Sequence, residues 1–206
     1  MTRVILIDDY RQTREWCAHQ IRSTGRYDLI AAFGSASNAE LPCVTGKVDL
    51  IIMDVCTEDG ESGLKMAEKL KRKYPRIKII IMTSMPEHTF VGRAKAAGCE
   101  SFWYKESEEE LIDIMDRTMQ GESVYPSHLP VVRIGEAKSS EFTERELEVI
   151  RQLVLGKSYT EIARDLNVSV NTVKDHLKHI YMKTGYSKSL QVAVDAVEHK
   201  LILPDY

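Results

Sequence analysis

Short apolar runs that alternate with amphipathic stretches occupy the first 119 residues. The run Val48–Asp54 is almost continuously apolar, as is typical of a parallel strand covered by helices on both faces. The strands predicted in this way are Val4–Ile7, Tyr27–Ala32, Val48–Asp54, Ile77–Met82 and Ser101–Tyr104. Helical stretches are predicted between and after them, near Arg11–Ser23, Gly63–Tyr74, Glu87–Ala97 and from a capping box at Ser107–Glu110 onward. This alternation predicts an α/β fold with a five-stranded, doubly wound parallel sheet.

Residues 121–140 interrupt the pattern and predict a linker. Glycine, proline and serine cluster there, at Gly121, Pro126, Pro130, Gly135 and Ser139-Ser140. From Glu141 onward the periodicity is helical only, and the expected helices are Thr143–Leu155, Tyr159–Leu166, Ser169–Thr184 and Ser187–His199. The sequence therefore predicts an α/β domain over residues 1–120, a linker over 121–140 and an all-α domain over 141–206.

Composition narrows the class of protein. No apolar stretch approaches the roughly 18–20 residues that cross a membrane, so no membrane partner is expected. The four cysteines are scattered and form no CxxC pair, which favours reduced thiols in a cytoplasm over a disulfide frame or a zinc site. The net charge of −3 excludes a uniformly basic nucleic-acid binder. Residues 169–190, however, hold four lysines against one acid, Asp175, which is the local charge pattern expected for DNA binding.

Acidic side chains follow two of the apolar runs. Asp54 ends one run, and Asp8 and Asp9 follow the run that ends at Ile7. The carboxyl ends of parallel strands border a crevice where ligands bind. Three carboxylates in one crevice need a counter-charge, and hard oxygen ligands suit Mg²⁺. The plainer interpretation is that such aspartates only cap helices, but a pair plus a third favours a magnesium site.

A phosphoryl group is the ligand that the other strand ends favour. Asp54 offers a carboxylate nucleophile that can form an acyl phosphate. Thr83 offers a hydroxyl donor and Lys105 a compact cation, and both follow predicted strands. Taken singly, Thr83 is a strand-end cap and Lys105 a solvated lysine. The order of acid pair, Asp, Thr and Lys at successive strand ends favours one site.

Four motifs in that order carry a resemblance to a known family: ILIDD (5–9), IIMD (51–54), IIMTS (80–84) and FWYK (102–105). Residues 1–119 resemble the receiver domain of two-component response regulators, which has a flavodoxin-like fold. The resemblance implies phosphotransfer from a sensor histidine kinase to Asp54.

The resemblance also implies roles for individual residues. Mg²⁺ would be held by Asp8, Asp9, Asp54 and the backbone carbonyl of Cys56. Thr83 and Phe102 would form the switch pair, with Phe102 alternating between a core position and a second position. Because phenylalanine has no hydroxyl, such a switch would act by packing.

The loop after Asp54 departs from the family pattern. The family carries a Met-Pro pair there, whereas residues 55–62 read VCTEDGES, without proline and slightly longer. Its acids are either a solvated turn or a source of negative potential that weakens phosphorylation. A second hypothesis is therefore an atypical regulator that binds DNA under the control of a ligand or a protein contact. A third, a Mg²⁺-dependent phosphohydrolase, lacks the second acid expected two residues after Asp54, where Cys56 stands.

The long helix predicted over Ser169–Thr184 is amphipathic. Its apolar stripe comprises Val173, Leu177, Ile180 and Thr184, and its opposite face is polar and basic. A solvated surface helix is the plainer interpretation. A short helix and a tight turn precede it, however, as in helix-turn-helix units, whose second helix enters the major groove. Ser169 is a good N-cap for this helix.

Residues 142–199 resemble the LuxR-type helix-turn-helix domain through FTERELEVIRQL (142–153) and GKSYTEIARDLNVSVNTVKDHLKHIYMKTG (156–185). By that resemblance Lys174 and Lys178 contact DNA, and Asp175 lies between them at a base-facing position. An acid there either accepts a hydrogen bond from cytosine N4 or weakens affinity by repelling phosphates.

Contacts with phosphates and with a second subunit are also expected. Ser169, Asn171 and Thr172 are candidates for phosphate contacts, which position a protein without reading sequence. The final helix, with Val192, Val194 and Val197, is the dimerising helix in the family; its plainer role is to cover the domain core.

The whole chain resembles the NarL/FixJ class of response regulators. The leading hypothesis is a cytoplasmic transcription regulator rather than an enzyme. It would bind a double-stranded DNA operator as a homodimer once Asp54 is phosphorylated.

Overall fold

In a computed structural model, the protein is described over residues 1–202, apart from the side chain of Asp59, so the last four residues of the predicted all-α domain lie outside the described part. The contacts divide the chain into two compact units, the first formed mainly by residues up to Ser127 and the second mainly by those that follow. Within residues 1–202, none of the helices combines the length and the apolar character needed to cross a membrane.

The first unit is built on a five-stranded parallel sheet, as the hydrophobic pattern predicts, and the strands lie in the order β2-β1-β3-β4-β5. Its strands are β1 (Thr2–Ile7), β2 (Tyr27–Phe33), β3 (Leu50–Asp54), β4 (Lys78–Thr83) and β5 (Ser101–Tyr104). Its helices are α1 (Arg11–Ser23), α2 (Glu40–Val44), α3 (Gly63–Lys73), α4 (Thr89–Ala96) and α5 (Leu111–Gln120). Every residue of β3 is buried, because helices cover both faces of the central strands.

Two local features of this unit differ from the expectation. The hydrophobic pattern does not reveal α2 or the 3₁₀ turn Ala36–Ala39 before it, because both are too short to show a period. The capping box expected at Ser107–Glu110 is wrong. Helix α5 begins only at Leu111, and the N–H of Ser107 instead donates to the carbonyl of Tyr104 in a turn that follows β5.

The second unit is helical apart from one short hairpin. Its helices are α6 (Glu144–Val154), α7 (Tyr159–Asp165), α8 (Val170–Thr184) and α9 (Ser189–Glu198). The hairpin pairs β6 (Arg133–Ile134) with β7 (Ala137–Lys138), and Ile134 and Ala137 are buried in the helical core. The prediction of an irregular linker over 121–140 is therefore corrected at 133–138, where two apolar side chains fix the segment to the second unit.

The helix boundaries of the second unit follow local chemistry that the sequence contains. The capping box predicted at Thr143 is confirmed, and Ser158 forms a second one with Glu161. Ser169 is the N-cap of α8, as predicted, and its hydroxyl accepts from the N–H of Thr172 at 3.0 Å. The turn between α7 and α8 passes through Asn167, whose φ of +53° is a left-handed conformation that asparagine tolerates.

The tip of the hairpin generates a prediction about stability. Gly135 has a φ of +58°, and a Cβ there would lie 2.1 Å from the carbonyl oxygen of Thr184. We expect Gly135→Ala to lower the free energy of unfolding by about 2–4 kcal/mol, since it adds a backbone collision to the left-handed strain. Denaturant unfolding followed by circular dichroism measures the loss. Gly156→Ala is the control, because Gly156 also has a positive φ but no atom within 4 Å, so about 1 kcal/mol is expected there. Equal losses in the two variants would contradict the role of the collision.

Candidate phosphoacceptor and nucleic-acid sites

The predicted acidic residues meet at the carboxyl edge of the sheet. Strands β1 and β3 are parallel neighbours, with Ile7 opposite Met53, so the residues that follow are adjacent. Asp8 and Asp54 are 0% and 3% exposed, and Asp9 is half-buried. Carboxylate oxygens of the three residues lie within 4.8 Å of one another. The sheet topology therefore forms the predicted cluster.

Lys105 provides the counter-charge of this cluster. Its ammonium donates to Asp8 Oδ2 at 2.7 Å and to Asp54 Oδ2, and its side chain is only 11% exposed. Burial raises the pKa of Asp54, and Lys105 opposes that rise. Burial alone would lower the pKa of Lys105, but the carboxylates of Asp54 and Asp8 outweigh it and raise that pKa. The lysine therefore stays charged, and it is not the solvated surface lysine of the plainer interpretation.

The donor set of the cluster fits a small, hard cation. Carboxylate oxygens on Asp8, Asp9 and Asp54 are ligands that Mg²⁺ prefers. Each of the three side chains offers one oxygen within 4.8 Å of the other two, which is close enough for one cation to bind all three after small side-chain movements. Thiolate and imidazole ligands are absent from this cluster of described residues, which disfavours zinc.

Thr83 and Phe102 lie on neighbouring strands beside the acids. Thr83 ends β4 and is buried, and the backbone N–H of Lys105 donates to its carbonyl at 2.9 Å. Phe102 on β5 lies opposite Ile81 and is fully buried, so here it occupies the core position. The backbone N–H of Cys56 approaches Asp54 Oδ1 at 3.4 Å, which places Cys56 beside the acid cluster.

Arg14 and Gly63 complete the surroundings of the cluster, and sequence patterns did not single them out. The Arg14 guanidinium, on α1, donates to the backbone carbonyls of Asp8 and Asp9 and thereby fixes the loop that carries both acids. A Cβ on Gly63 would lie 1.8 Å from the carbonyl oxygen of Asp54, so this position requires glycine. The only sequence signals are the spacing of Arg14 from the acid pair and a glycine at the start of a helix.

The unusual loop after Asp54 is closed by hydrogen bonds within itself and to the segment after β2. At its two ends, the backbone N–H of Gly63 donates to the carbonyl of Val55 at 2.8 Å. Cys56 and Ser62 form an isolated antiparallel β-bridge beside this bond. The carboxylate of Glu61 accepts from the Ser35 hydroxyl at 2.7 Å, and hydrogen bonds from Ser35 and from the N–H of Ser37 lower the pKa of Glu61. One of the loop acids therefore anchors the loop, so it is more than a solvated turn.

Helix α8 presents the predicted nucleic-acid face to solvent. The apolar stripe of Val173, Leu177, Ile180 and Thr184 is buried, while Lys174, Asp175 and Lys178 are exposed. Asn171 and Ser169 are also exposed. Thr172 is half-buried, and its hydroxyl bonds to that of Ser169 at 2.9 Å. The predicted DNA-contacting side chains thus lie on one accessible side of the helix and at its N-terminus.

The charge pattern of residues 169–190 needs one correction. Lys183 is not part of the free basic face, because its ammonium bonds to Glu146 at 2.6 Å and lies over the Phe142 ring. Burial would raise the pKa of Glu146, but hydrogen bonds from Lys183 and from Thr143 lower it. By contrast, the side chains of Lys174 and Lys178 make no hydrogen bond or ion pair within residues 1–202.

The apolar residues of α9 divide between the two roles that the sequence left open, namely covering the core and facing outward. Val192, Ala193 and Ala196 are buried, whereas Val194 is 46% exposed and Leu190 is 72% exposed. Val194 is therefore not part of the core, and the two exposed apolar side chains lie one helical turn apart on the outer side of α9.

Family models match the two parts of the chain separately. Residues 4–116 match the family model of the response regulator receiver domain, and residues 140–196 match that of the bacterial regulatory proteins of the luxR family. The chain is 30% identical to the response regulator protein VraR of Staphylococcus aureus, over 97% of this chain and 98% of VraR.

Solved structures with the same fold include two response regulators, RcsB and ChrA. RcsB of Salmonella enterica serovar Typhimurium, bound to promoter P1flhDC with the phosphomimetic BeF₃⁻, matches with a TM-score of 0.66 and 18% identity, over 96% of this chain and 98% of RcsB. ChrA, the response regulator of a heme-sensing two-component system, matches with a TM-score of 0.53 and 24% identity, over 97% of this chain and 98% of ChrA.

The buried lysine generates a prediction about stability. Lys105→Met leaves two buried carboxylates without their counter-charge, so we expect unfolding of the first unit to require about 3–5 kcal/mol less free energy than in the wild type. Both tryptophans, Trp16 and Trp103, belong to this unit, and their fluorescence during denaturation follows it. Lys69→Met breaks an exposed pair with Glu40 and should change stability by at most about 1 kcal/mol. A Lys105 variant as stable as the Lys69 variant would refute the counter-charge role.

Proposed function

The chain belongs to the response regulators that join a receiver domain to a luxR-type DNA-binding domain, and we propose that phosphotransfer from a histidine kinase to Asp54 switches its binding to operator DNA. The contact between the Lys105 ammonium and the carboxylates of Asp8 and Asp54 carries the proposal. It gathers a nucleophile, a cation and metal-binding acids at one point, which is what phosphoryl transfer requires.

The chemistry assigns one task to each group. A carboxylate oxygen of Asp54 forms a bond to phosphorus while the P–N bond of the kinase's phosphohistidine breaks. The leaving ring nitrogen keeps the electron pair and then takes up a proton. Asp8, Asp9, Asp54 and the carbonyl of Cys56 would hold Mg²⁺, which supplies neutralisation of charge on the phosphoryl oxygens when bound.

Lys105 and Thr83 respond to the product. Once Asp54 is an acyl phosphate, Lys105 can pair with a phosphoryl oxygen while it keeps Asp8 as a partner. The Thr83 hydroxyl donates to another phosphoryl oxygen. The backbone bond from Lys105 to Thr83 links both responses to the β4–β5 pair, where Phe102 repacks as the second switch residue.

Helix α8 is the part of the second unit that we propose enters the major groove. Lys174 and Lys178 would contact DNA from its exposed face, with Asp175 directed at the bases. Ser169, Asn171 and Thr172 would contact phosphates at its N-terminus, where the helix dipole favours anions. Five of these six residues are exposed and Thr172 is half-buried, which supports this assignment.

We propose that the active form is a homodimer that uses α9. The exposed pair Leu190 and Val194 supports this, because apolar side chains one turn apart form a strip that a second copy can cover. A two-fold dimer also matches operators with two half-sites. We also propose a cytoplasmic location, because the chain can reach both the kinase's phosphohistidine and DNA there.

The central test is intact mass after incubation with a small-molecule phosphodonor and Mg²⁺. We expect one phosphoryl group on the wild type and none on Asp54→Asn, since the amide is not a nucleophile for this reaction. Asp113→Asn is the matched control, because Asp113 is an exposed acid on α5 away from the cluster, and it should be labelled like the wild type.

Failure of the wild type to gain a group would reject the phosphorylation switch. Control would then move to the loop over residues 55–62, and the atypical regulator becomes the leading alternative. DNA binding would be unaffected by that result.

A second test addresses the DNA face. Lys178→Ala should weaken binding of the phosphodonor-treated protein to duplex DNA and reduce the slope of log affinity against log salt by about 1, because one phosphate contact is lost. Fluorescence anisotropy with a labelled duplex at several salt concentrations measures both. Lys65→Ala, which removes the same charge from an exposed position on α3, should leave the slope unchanged. Identical slopes for the wild type and Lys178→Ala would exclude a phosphate contact at Lys178.

A further inference from the structure

Asp175 is the one acid among the exposed residues of α8, and the ordinary roles of a helix acid do not account for it. It lies beyond the first turn of the helix, so it does not stabilise the positive end of the helix dipole. It caps nothing, since Ser169 fills that position.

Its charge is also not used within the protein. Lys178 and His179 follow at helical spacings that permit ion pairs, and Lys174 is adjacent. Within residues 1–202, the Asp175 carboxylate nonetheless forms no hydrogen bond or ion pair. The carboxylate is exposed, and all of its acceptor positions are available to a partner outside the chain.

A free carboxylate on a face that approaches DNA is unfavourable unless a donor meets it. Phosphates repel it, and among the base edges of the major groove only amino groups donate. Guanine presents N7 and O6 acceptors and thymine an O4 acceptor, so both repel a carboxylate. Adenine places its N6 amino group beside the N7 acceptor, whereas the N4 amino group of cytosine is that base's only polar group there.

We infer that Asp175 is a specificity-determining residue that accepts a hydrogen bond from N4 of a cytosine in each operator half-site. The inference rests on the proposed DNA-binding function of α8 and deepens it. The neighbouring lysines supply attraction to phosphates that is independent of sequence. Asp175 disfavours guanine and thymine, and it prefers cytosine to adenine because adenine's N7 acceptor lies beside its amino group. The acid thus exchanges some general affinity for selectivity.

Selection from a random-sequence duplex library tests this with the full chain, with and without phosphodonor treatment. We expect the wild type to enrich a motif with a C·G pair at one fixed position of each half-site. Asp175→Asn should shift that position to adenine, because an amide matches adenine N6 and N7 together. Asp175→Ala should leave the position without preference. On the enriched duplex, replacing this cytosine should weaken wild-type binding by about 10-fold or more.

Asp165→Asn is the matched control. It removes the same charge from α7, where Asp165 pairs with Lys157, and it should select the wild-type motif. Circular dichroism verifies that each variant is folded.

The possible failures are distinct. A motif that Asp175→Asn and Asp175→Ala share with the wild type would overturn the cytosine contact and leave DNA binding intact. Enrichment of no sequence by any protein would overturn the proposed operator binding and this inference with it.

Discussion

Neutralisation of two buried carboxylates is the constraint on which the first unit depends. Asp8 and Asp54 lie at the ends of adjacent strands, and neither is accessible enough for water to stabilise its charge. Lys105 follows β5, which is two strand positions from β3, or about 10 Å at ordinary strand spacing. The long Lys105 side chain and the Asp54 carboxylate together bridge that distance, so the contact depends both on the strand order and on a long cationic side chain after β5.

The same arrangement determines what a change at Asp54 can reach. Lys105 is bonded to both acids by its side chain and to Thr83 by its backbone, so any new partner for Asp54 acts on β4 and β5 at once. At the other edge of β5, the backbone N–H of Phe102 donates to the carbonyl of Val124 at 2.8 Å. A displacement of β5 must therefore either carry or break a contact with the segment that leads out of the receiver unit.

Sequence patterns predicted those parts of this structure that depend on local periodicity or on strand ends. The buried runs predicted all five strands, and the strand-end rule brought Asp8, Asp9, Asp54 and Lys105 to one edge. What the patterns missed depends on contacts distant in the sequence or on elements too short to show a period. The Arg14 guanidinium reaches backbone carbonyls, which have no signature in the sequence, and the hairpin at Gly135 is held by two side chains in the helical core.

Ion pairs in the second unit show why composition alone overestimated the number of lysines on its exposed basic face. Of the lysines counted there, Lys183 is used by the fold, since Glu146 holds it while also closing the capping box of α6. Lys174, Asp175 and Lys178 form no such pair in the part of the chain that the structure describes. Ion pairing therefore separates two groups of charged residues. Lys183 stabilises the fold, whereas Lys174, Asp175 and Lys178 gain interaction energy only from a partner outside the chain. The acid in the second group constrains that partner more than the lysines do, because a lysine accepts any phosphate whereas a carboxylate requires a donor in one place.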